Sequence, residues 1–224
     1  MPISIPDTSP RRHPNRIESL LRKVKARLHR IDVGAGTRIG SGVSLSGKGI
    51  SIGDHCELLG PMSIETLSHK SGDRVLIGPR VKIKPHSWLN AYGGSIDIGE
   101  DSLIGFGCVL FGHGGIEIGQ RTLLSPYVVA VASEHAYWMQ GPLPARGFTR
   151  ELIKIGSDVW IGSHATILAG SVIGDNCVIG AGSVVHGKLE SGFVYIGSPA
   201  KAVSKTQDIS RIEHRPAERW PGIV

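Results

Sequence analysis

The residues of this 224-residue chain best suited to chemistry are its three cysteines and ten histidines. Three thiols invite a metal or redox centre, and imidazoles such as those of His113, His135 and His164 can carry a proton or hold zinc. Spacing argues against the thiols. Cys56, Cys108 and Cys177 each stand four residues after the isoleucine of an Ile-Gly pair, in a slot held elsewhere by Val159, Ala165, Ser171 and Ser183. Free cysteine packs as a small hydrophobe, so all three read as core residues. An odd number of cysteines without a CxxC pair also speaks against a disulfide framework and for a reducing compartment. Gly112-His113-Gly114-Gly115 has the composition of a phosphate-holding loop, yet it falls between two repeats, where a chain corner explains it.

The elements that must position these residues are repeats. The chain has 25 isoleucines, 31 glycines and eleven Ile-Gly dipeptides. Random pairing would give about 3.5, and such an excess marks internal repetition. From Ile155 to Glu190 the sequence cuts into sixes: IGSDVW, IGSHAT, ILAGSV, IGDNCV, IGAGSV, VHGKLE. The first position is Ile or Val, the second usually Gly, and the fifth small. Further blocks in this frame begin at Ile39, Ile52, Ile77, Ile98 and Ile118. A period of six fits neither an isolated helix nor a simple strand. It fits a short strand followed by a bend, with three such units forming one turn of a triangular prism. The first and fifth positions then point inward, and glycine at the second permits backbone near the corner that a Cβ would strain. The expected fold is all-β, a hexapeptide-repeat parallel β-helix over residues 33–203 in roughly seven coils.

Three segments break the frame, at about 60–75, 84–97 and 133–154. Loops projecting from a rigid scaffold usually carry function. The first two contain His69, His86, Trp88 and Tyr92. The third, SEHAYWMQGPLPARGFTREL, leaves the frame just before His135, carries Tyr137, Trp138 and Met139, and rejoins at Ile155. These rings could stack on sugar faces or cover the prism.

The formal charge of +6 is localised, because residues 1–30 hold eight Lys or Arg against two acids while the remainder holds 17 of each. In that stretch Ile17, Leu20, Leu21, Val24, Leu28 and Ile31 recur at intervals of three and four, the pattern of an amphipathic helix, and Pro14-Asn15 suits its start. The chain therefore divides into a basic arm with a helix (1–32), the repeat domain (33–203) and a C-terminal tail (204–224). The helix is expected to pack on the prism end or on a partner subunit, with a membrane-surface contact as the second reading. Nucleic acid is not expected, since no binding motif accompanies the charge. No apolar run approaches the roughly 18 residues of a membrane span, and the N-terminus lacks the apolar stretch of a secretory signal. A cytoplasmic location, at most membrane-peripheral, is expected.

IGQRTLLSPYVVAVASEH (118–135), the Pro-rich loop after it and IGSDVWIGSHATILAGSVIGDNCVIGAGSVV (155–185) together resemble the hexapeptide-repeat acyltransferases. The closest group is that of bacterial maltose, galactoside and surface-polysaccharide O-acetyltransferases. YIGSPAKAV (195–203) is similar to that family's usual close of the coil, and the likeness covers roughly residues 98–205. The resemblance implies a left-handed coil and acyl transfer from acetyl-CoA or another acyl-CoA. The acceptor is a hydroxyl of a sugar, a nucleotide sugar or a polysaccharide precursor, whether small molecule or oligosaccharide. It implies no required metal, and a homotrimer with active sites at subunit interfaces. It assigns His135 as general base. The chemistry is sound, because a sugar hydroxyl attacks a thioester poorly until a neutral imidazole takes its proton. Backbone N–H groups can hold the oxyanion.

The resemblance also implies a CoA groove along the last coils, using Trp160, Ser163, Ala181, Gly182 and Lys201, with Lys205 adding charge near the nucleotide phosphate. Trp88, Tyr92, His113, Tyr137 and Trp138 are the acceptor-side candidates. The chain departs from the family in two places. His186-Gly187-Lys188 stands where Thr-Lys-Asp is usual, so His186 replaces a threonine close to CoA. Gly105 stands where the sugar acetyltransferases carry an asparagine on the site wall, and His113 is the candidate substitute. Glu134 adjoins His135, but neighbours on an extended chain point apart, so no carboxylate partner for His135 is identified. Three other readings stay open: N-acyl transfer to an amino sugar or antibiotic, a γ-class carbonic anhydrase holding zinc on His113, His135 and His164 despite an unmatched spacing, and a non-catalytic assembly protein.

Overall fold

A computed structural model describes residues 31–67 and 72–207. Strands of two to four residues stack in parallel on three faces of a solenoid. The first face runs from Asp32–Val33 to Lys188–Leu189 in eight strands. The second runs from Arg38–Ile39 to Phe193–Ile196, and the third from Val43–Ser46 to Val184–Val185. The chain visits the faces in order, and each coil hydrogen-bonds to the next through backbone pairs such as Gly99 N–H to Ile118 O at 2.7 Å and Trp160 N–H to Cys177 O at 2.9 Å.

The inward columns are the first positions of the repeat. On the second face Ile39, Leu58, Ile83, Ile104, Leu124, Ile161 and Ile179 lie one above another, all buried. Burying one such side chain contributes about 1.5–3 kcal/mol. Cys56, Cys108 and Cys177 are free thiols buried at the fifth positions. Desolvation pushes the Cys108 thiol up to about 11 and also raises those of Cys56 and Cys177. Each stays protonated and unreactive at neutral pH.

The glycine of the Ile-Gly pair has a different cause from the expected strained corner. A Cβ on Gly119 would lie 2.6 Å from the backbone of Gly156 and Ser157 in the next coil, and one on Gly99 would lie 2.5 Å from Gln120 N. The residue is glycine because the next coil touches it. The left-handed backbone falls two positions later, where His55, Arg80, Asp101, Arg121, Asp158 and Asn176 form a column with φ of 54–58° on the edge between the first and second faces. The two arginines of that column are paired across coils, Arg80 with Asp101 at 2.6 Å and Arg121 with Asp158 at 2.7 Å.

The structure corrects the sequence-derived boundaries. The solenoid has about eight turns rather than seven. Residues 84–97 are not an insertion: Trp88–Asn90 and Ser95–Ile98 are ordinary rungs of the third and first faces. The frame was hidden because Lys84 replaces the usual glycine, while Ile83 and Leu89 keep the inward positions. The first break narrows to residues 66–73, between the strands Met62–Glu65 and Arg74–Ile77, and the third runs from Ser133 to Leu152. The first strand already begins at Asp32, and a strand at Lys201–Lys205 extends past the expected boundary at 203. The segment expected to form the basic helix, except Ile31, lies outside the described residues, as do His69 and the tail from 208 onward.

Two outcomes test this packing. A thiol reagent at pH 8 should label none of the three cysteines in the folded protein within minutes, and all three in denaturant. Fast labelling of the native chain would contradict the core assignment. Gly119→Ala should lower stability by about 1–3 kcal/mol, the range for overpacking, whereas Asn176→Gly on the left-handed edge should stay within about 0.5 kcal/mol. Urea denaturation midpoints report both.

Candidate active site

The coil is interrupted most strongly at one corner between the third and first faces. There Ser133–His135 leaves the prism and pairs antiparallel with Phe148–Arg150, in the register Ser133 to Arg150, Glu134 to Thr149 and His135 to Phe148. The arm is braced at both ends. At its base Ala132 N–H donates to Phe111 O at 2.9 Å and Glu151 N–H to Ala132 O at 3.2 Å. Toward its tip the Arg146 guanidinium donates to Gly141 O at 2.7 Å and Tyr137 O at 2.8 Å.

Directly opposed residues on such a ribbon share a face, and alternate residues along each strand do too. His135, Phe148, Arg150 and Ser133 therefore occupy one face, and Glu134 and Thr149 the other. Glu134 is thereby turned away from His135. The His135 face looks toward the prism corner, because the Phe148 ring meets the His113 ring edge-on at 5.4 Å. His113 in turn stacks on Tyr92 at 4.4 Å and 8°. The backbone of Tyr92 is left-handed, at φ 48°. It is held by Asn90, which accepts the Tyr92 N–H at 2.9 Å and donates to Glu65 Oε2 at 2.9 Å. Phe111 continues the chain of rings, edge-on to Tyr92 at 5.0 Å and to Trp88 at 4.9 Å.

Of the acceptor-side candidates, His113 lies against the arm that carries His135, and Tyr92 stacks on the ring of His113. Trp88 lies on a regular strand of the third face at the far end of the ring chain. Tyr137 and Trp138 stand at the arm tip, 70% and 58% exposed, with their rings edge-on to each other at 5.2 Å. Phe148 and Arg150 escaped the sequence reading; their only signal was a cross-strand register that the sequence does not display.

The CoA-side candidates gather elsewhere. Trp160 stands on the second face, 52% exposed, with its indole N–H donating to Ser125 Oγ at 2.8 Å. With Leu103, Phe106, Leu123 and Pro126 it lines an apolar groove of about 590 Å³. Ser163, Ala181 and Gly182 lie on the adjoining edge between the second and third faces, where Gly182 N–H donates to Ser163 O at 2.9 Å. Lys201 and Lys205 are exposed on the antiparallel strand that closes the second face. His186 does not join this group: it is exposed on the edge between the third and first faces, in the last turn. His164 stacks on Tyr127 at 5.0 Å on the edge between the second and third faces, so it is not gathered with His113 and His135 as a zinc site would need.

Two family descriptions match the repeat. "Bacterial transferase hexapeptide (six repeats)" matches residues 153–187, and "Hexapeptide repeat of succinyl-transferase" matches 95–125. A probable acetyltransferase of Mycobacterium tuberculosis is 30% identical over 132 residues, 58% of this chain and 44% of that protein. Galactoside O-acetyltransferase of Escherichia coli is 32% identical over 133 residues, 59% of this chain and 64% of that protein. The chain thus spans about half to two thirds of these relatives' lengths. A putative lipopolysaccharide biosynthesis O-acetyl transferase of Escherichia coli is 30% identical over 142 residues, 50% of this chain and 72% of that protein. Among solved structures, the N-acyltransferase AntD of Bacillus cereus, complexed with dTDP and coenzyme A, superposes with a TM-score of 0.60 at 20% identity. That match covers 82% of this chain and 88% of AntD, a likeness of fold. With the repeat and these relatives together, the chain belongs to the hexapeptide-repeat acetyltransferases.

Proposed function

We propose that the protein transfers an acyl group, acetyl in the first instance, from acyl-CoA to a hydroxyl of a sugar, nucleotide sugar or polysaccharide precursor, with His135 as general base. The observation that carries this reading is the place of His135: an exposed residue on a braced arm, on the same ribbon face as Phe148, whose ring meets the His113–Tyr92 stack. The ring faces suit a sugar, and the imidazole removes the hydroxyl proton as the oxygen attacks the thioester carbonyl. The proton then passes to the departing CoA thiolate, so no covalent enzyme intermediate is needed. That agrees with three thiols held protonated in the core. Transfer to oxygen is supported by the two relatives named as O-acetyltransferases. The left-handed sense of the coil belongs to the same reading.

CoA lies along the second face and its edge with the third. There Trp160 and its groove contact the pantetheine arm, Ser163, Ala181 and Gly182 offer backbone groups, and Lys201 with Lys205 meets the phosphates. His135 leaves from a different edge of the prism. A donor on one edge and a base on another meet when the arm of one subunit reaches the groove of the next, so the working unit is a homotrimer. The tip residues Tyr137, Trp138 and Met139 are exposed on one chain, as a contact between subunits needs.

Purified protein should release CoA thiol in the presence of a sugar acceptor, and His135→Ala should lower kcat by about a hundredfold or more with folding intact. Undiminished turnover in that variant removes the assignment. Sedimentation should give a mass about three times the 23.9 kDa of one chain. A monomer would leave base and donor groove apart and contradict the shared site.

A further inference from the structure

Six arginines lie among the described residues, and five have evident partners. Arg38, Arg74, Arg80 and Arg121 each hold a carboxylate at 2.6–2.8 Å, and Arg146 donates to two carbonyls of its own arm. Arg150 differs. Its guanidinium carbon sits 5.1 Å above the centre of the Phe148 ring. Among the described residues its side chain has no hydrogen-bond acceptor and no ion-pair partner. The acids nearest to it along and across the ribbon do not compensate it. Glu134 is on the opposite face of the ribbon, and the Glu151 carboxylate lies against Gly170 in the following coil.

A guanidinium lying over a ring is held in orientation while its N–H donors, all in the guanidinium plane, remain available. That planar fork matches an oxyanion. Its place is equally specific. Arg150 opposes Ser133 and shares the ribbon face with His135, to which it is the diagonal neighbour. Diagonal partners stand about 7–8 Å apart, roughly the span between a ring hydroxyl and a charged substituent on the same sugar.

We infer that the acceptor is an anionic sugar whose phosphate or carboxylate group is bound by Arg150 while the hydroxyl to be acylated lies at His135. This rests on the proposed acyl transfer for its chemistry, but the anion site can be tested without turnover. Phe148 and the His113–Tyr92 stack form the wall against which the sugar ring sits. A neutral acceptor would leave the guanidinium unmatched, and the arginine would then confer no preference.

The test is calorimetric titration of glucose 1-phosphate, UDP-glucose, glucuronate and methyl glucoside into the full-length wild type, Arg150→Gln and Arg150→Lys, without acyl-CoA. At least one anionic ligand should bind wild type about tenfold or more tightly than methyl glucoside does. Arg150→Gln should abolish that difference, and Arg150→Lys should restore part of it. Glucose 1-phosphate and UDP-glucose against glucuronate distinguishes a phosphate from a carboxylate as the source. Methyl glucoside and coenzyme A should bind all three proteins equally. With acetyl-CoA as donor, Arg150→Gln should raise KM for the anionic acceptor about tenfold and leave KM for acetyl-CoA unchanged. Equal binding of the anions by wild type and Arg150→Gln, or no anion binding at all, overturns the inference. Arg150-dependent binding without acyl transfer to any acceptor would instead overturn the proposed activity and leave the anion site standing.

Discussion

The structure depends on one spacing. Each coil hydrogen-bonds to the next along parallel strands, and adjacent strands lie about 4.8 Å apart. Backbone therefore meets backbone at every turn of the prism. On the first face the residue after the inward one has no room for a Cβ, as the 2.5–2.6 Å approaches at Gly99 and Gly119 make plain. The first and fifth positions must fill a narrow interior, with branched aliphatics at one and small residues, thiols included, at the other. The outward positions are released from those demands, which is why charge pairs, rings and exposed lysines can follow one another along the faces without disturbing the fold.

That division explains what was legible in the sequence. The inward and stacking requirements recur every six residues, so Ile, Gly and the small fifth residue declared the solenoid and placed all three cysteines in its core. The frame was lost at residues 84–97, where Lys84-Pro85-His86-Ser87 lacks the glycine signature. Physically the hexad is intact. Ile83 and Leu89 still face inward, His86 takes the left-handed corner, and the Ser87 hydroxyl lies 2.9 Å from the carbonyls of both Lys84 and Gly105. A reading that weighted the inward column above the glycine would have kept these residues in register.

The site was legible in part for a related reason. His135 stood out because the repeat stops there and the flanking residues resemble a family. Phe148 and Arg150 did not, because their nearness to His135 comes from antiparallel pairing across a long loop. Where such a ribbon closes is decided by contacts such as those of Arg146 with Gly141 and Tyr137, which have no period. The stacking of His113 on Tyr92 was hidden differently: the two residues are 21 apart in sequence, and only the coil-by-coil register places them one above the other.

A prism made this way is rigid and nearly featureless along its length, so two partners of a reaction cannot both be placed at one edge without breaking the stack twice. This chain breaks it strongly once, at the arm, and leaves the second face continuous from Leu103 past Trp160 to the closing strand. His135 and the groove beside Trp160 consequently lie on different edges of one chain. The proposed homotrimer would resolve this without further insertions, since a heterologous contact repeated around an axis closes on itself and would set the arm of each copy against the unbroken face of its neighbour. The aromatic arm tip, bare on one chain, is then what a solenoid must expose if its active site is to be completed by another copy of itself.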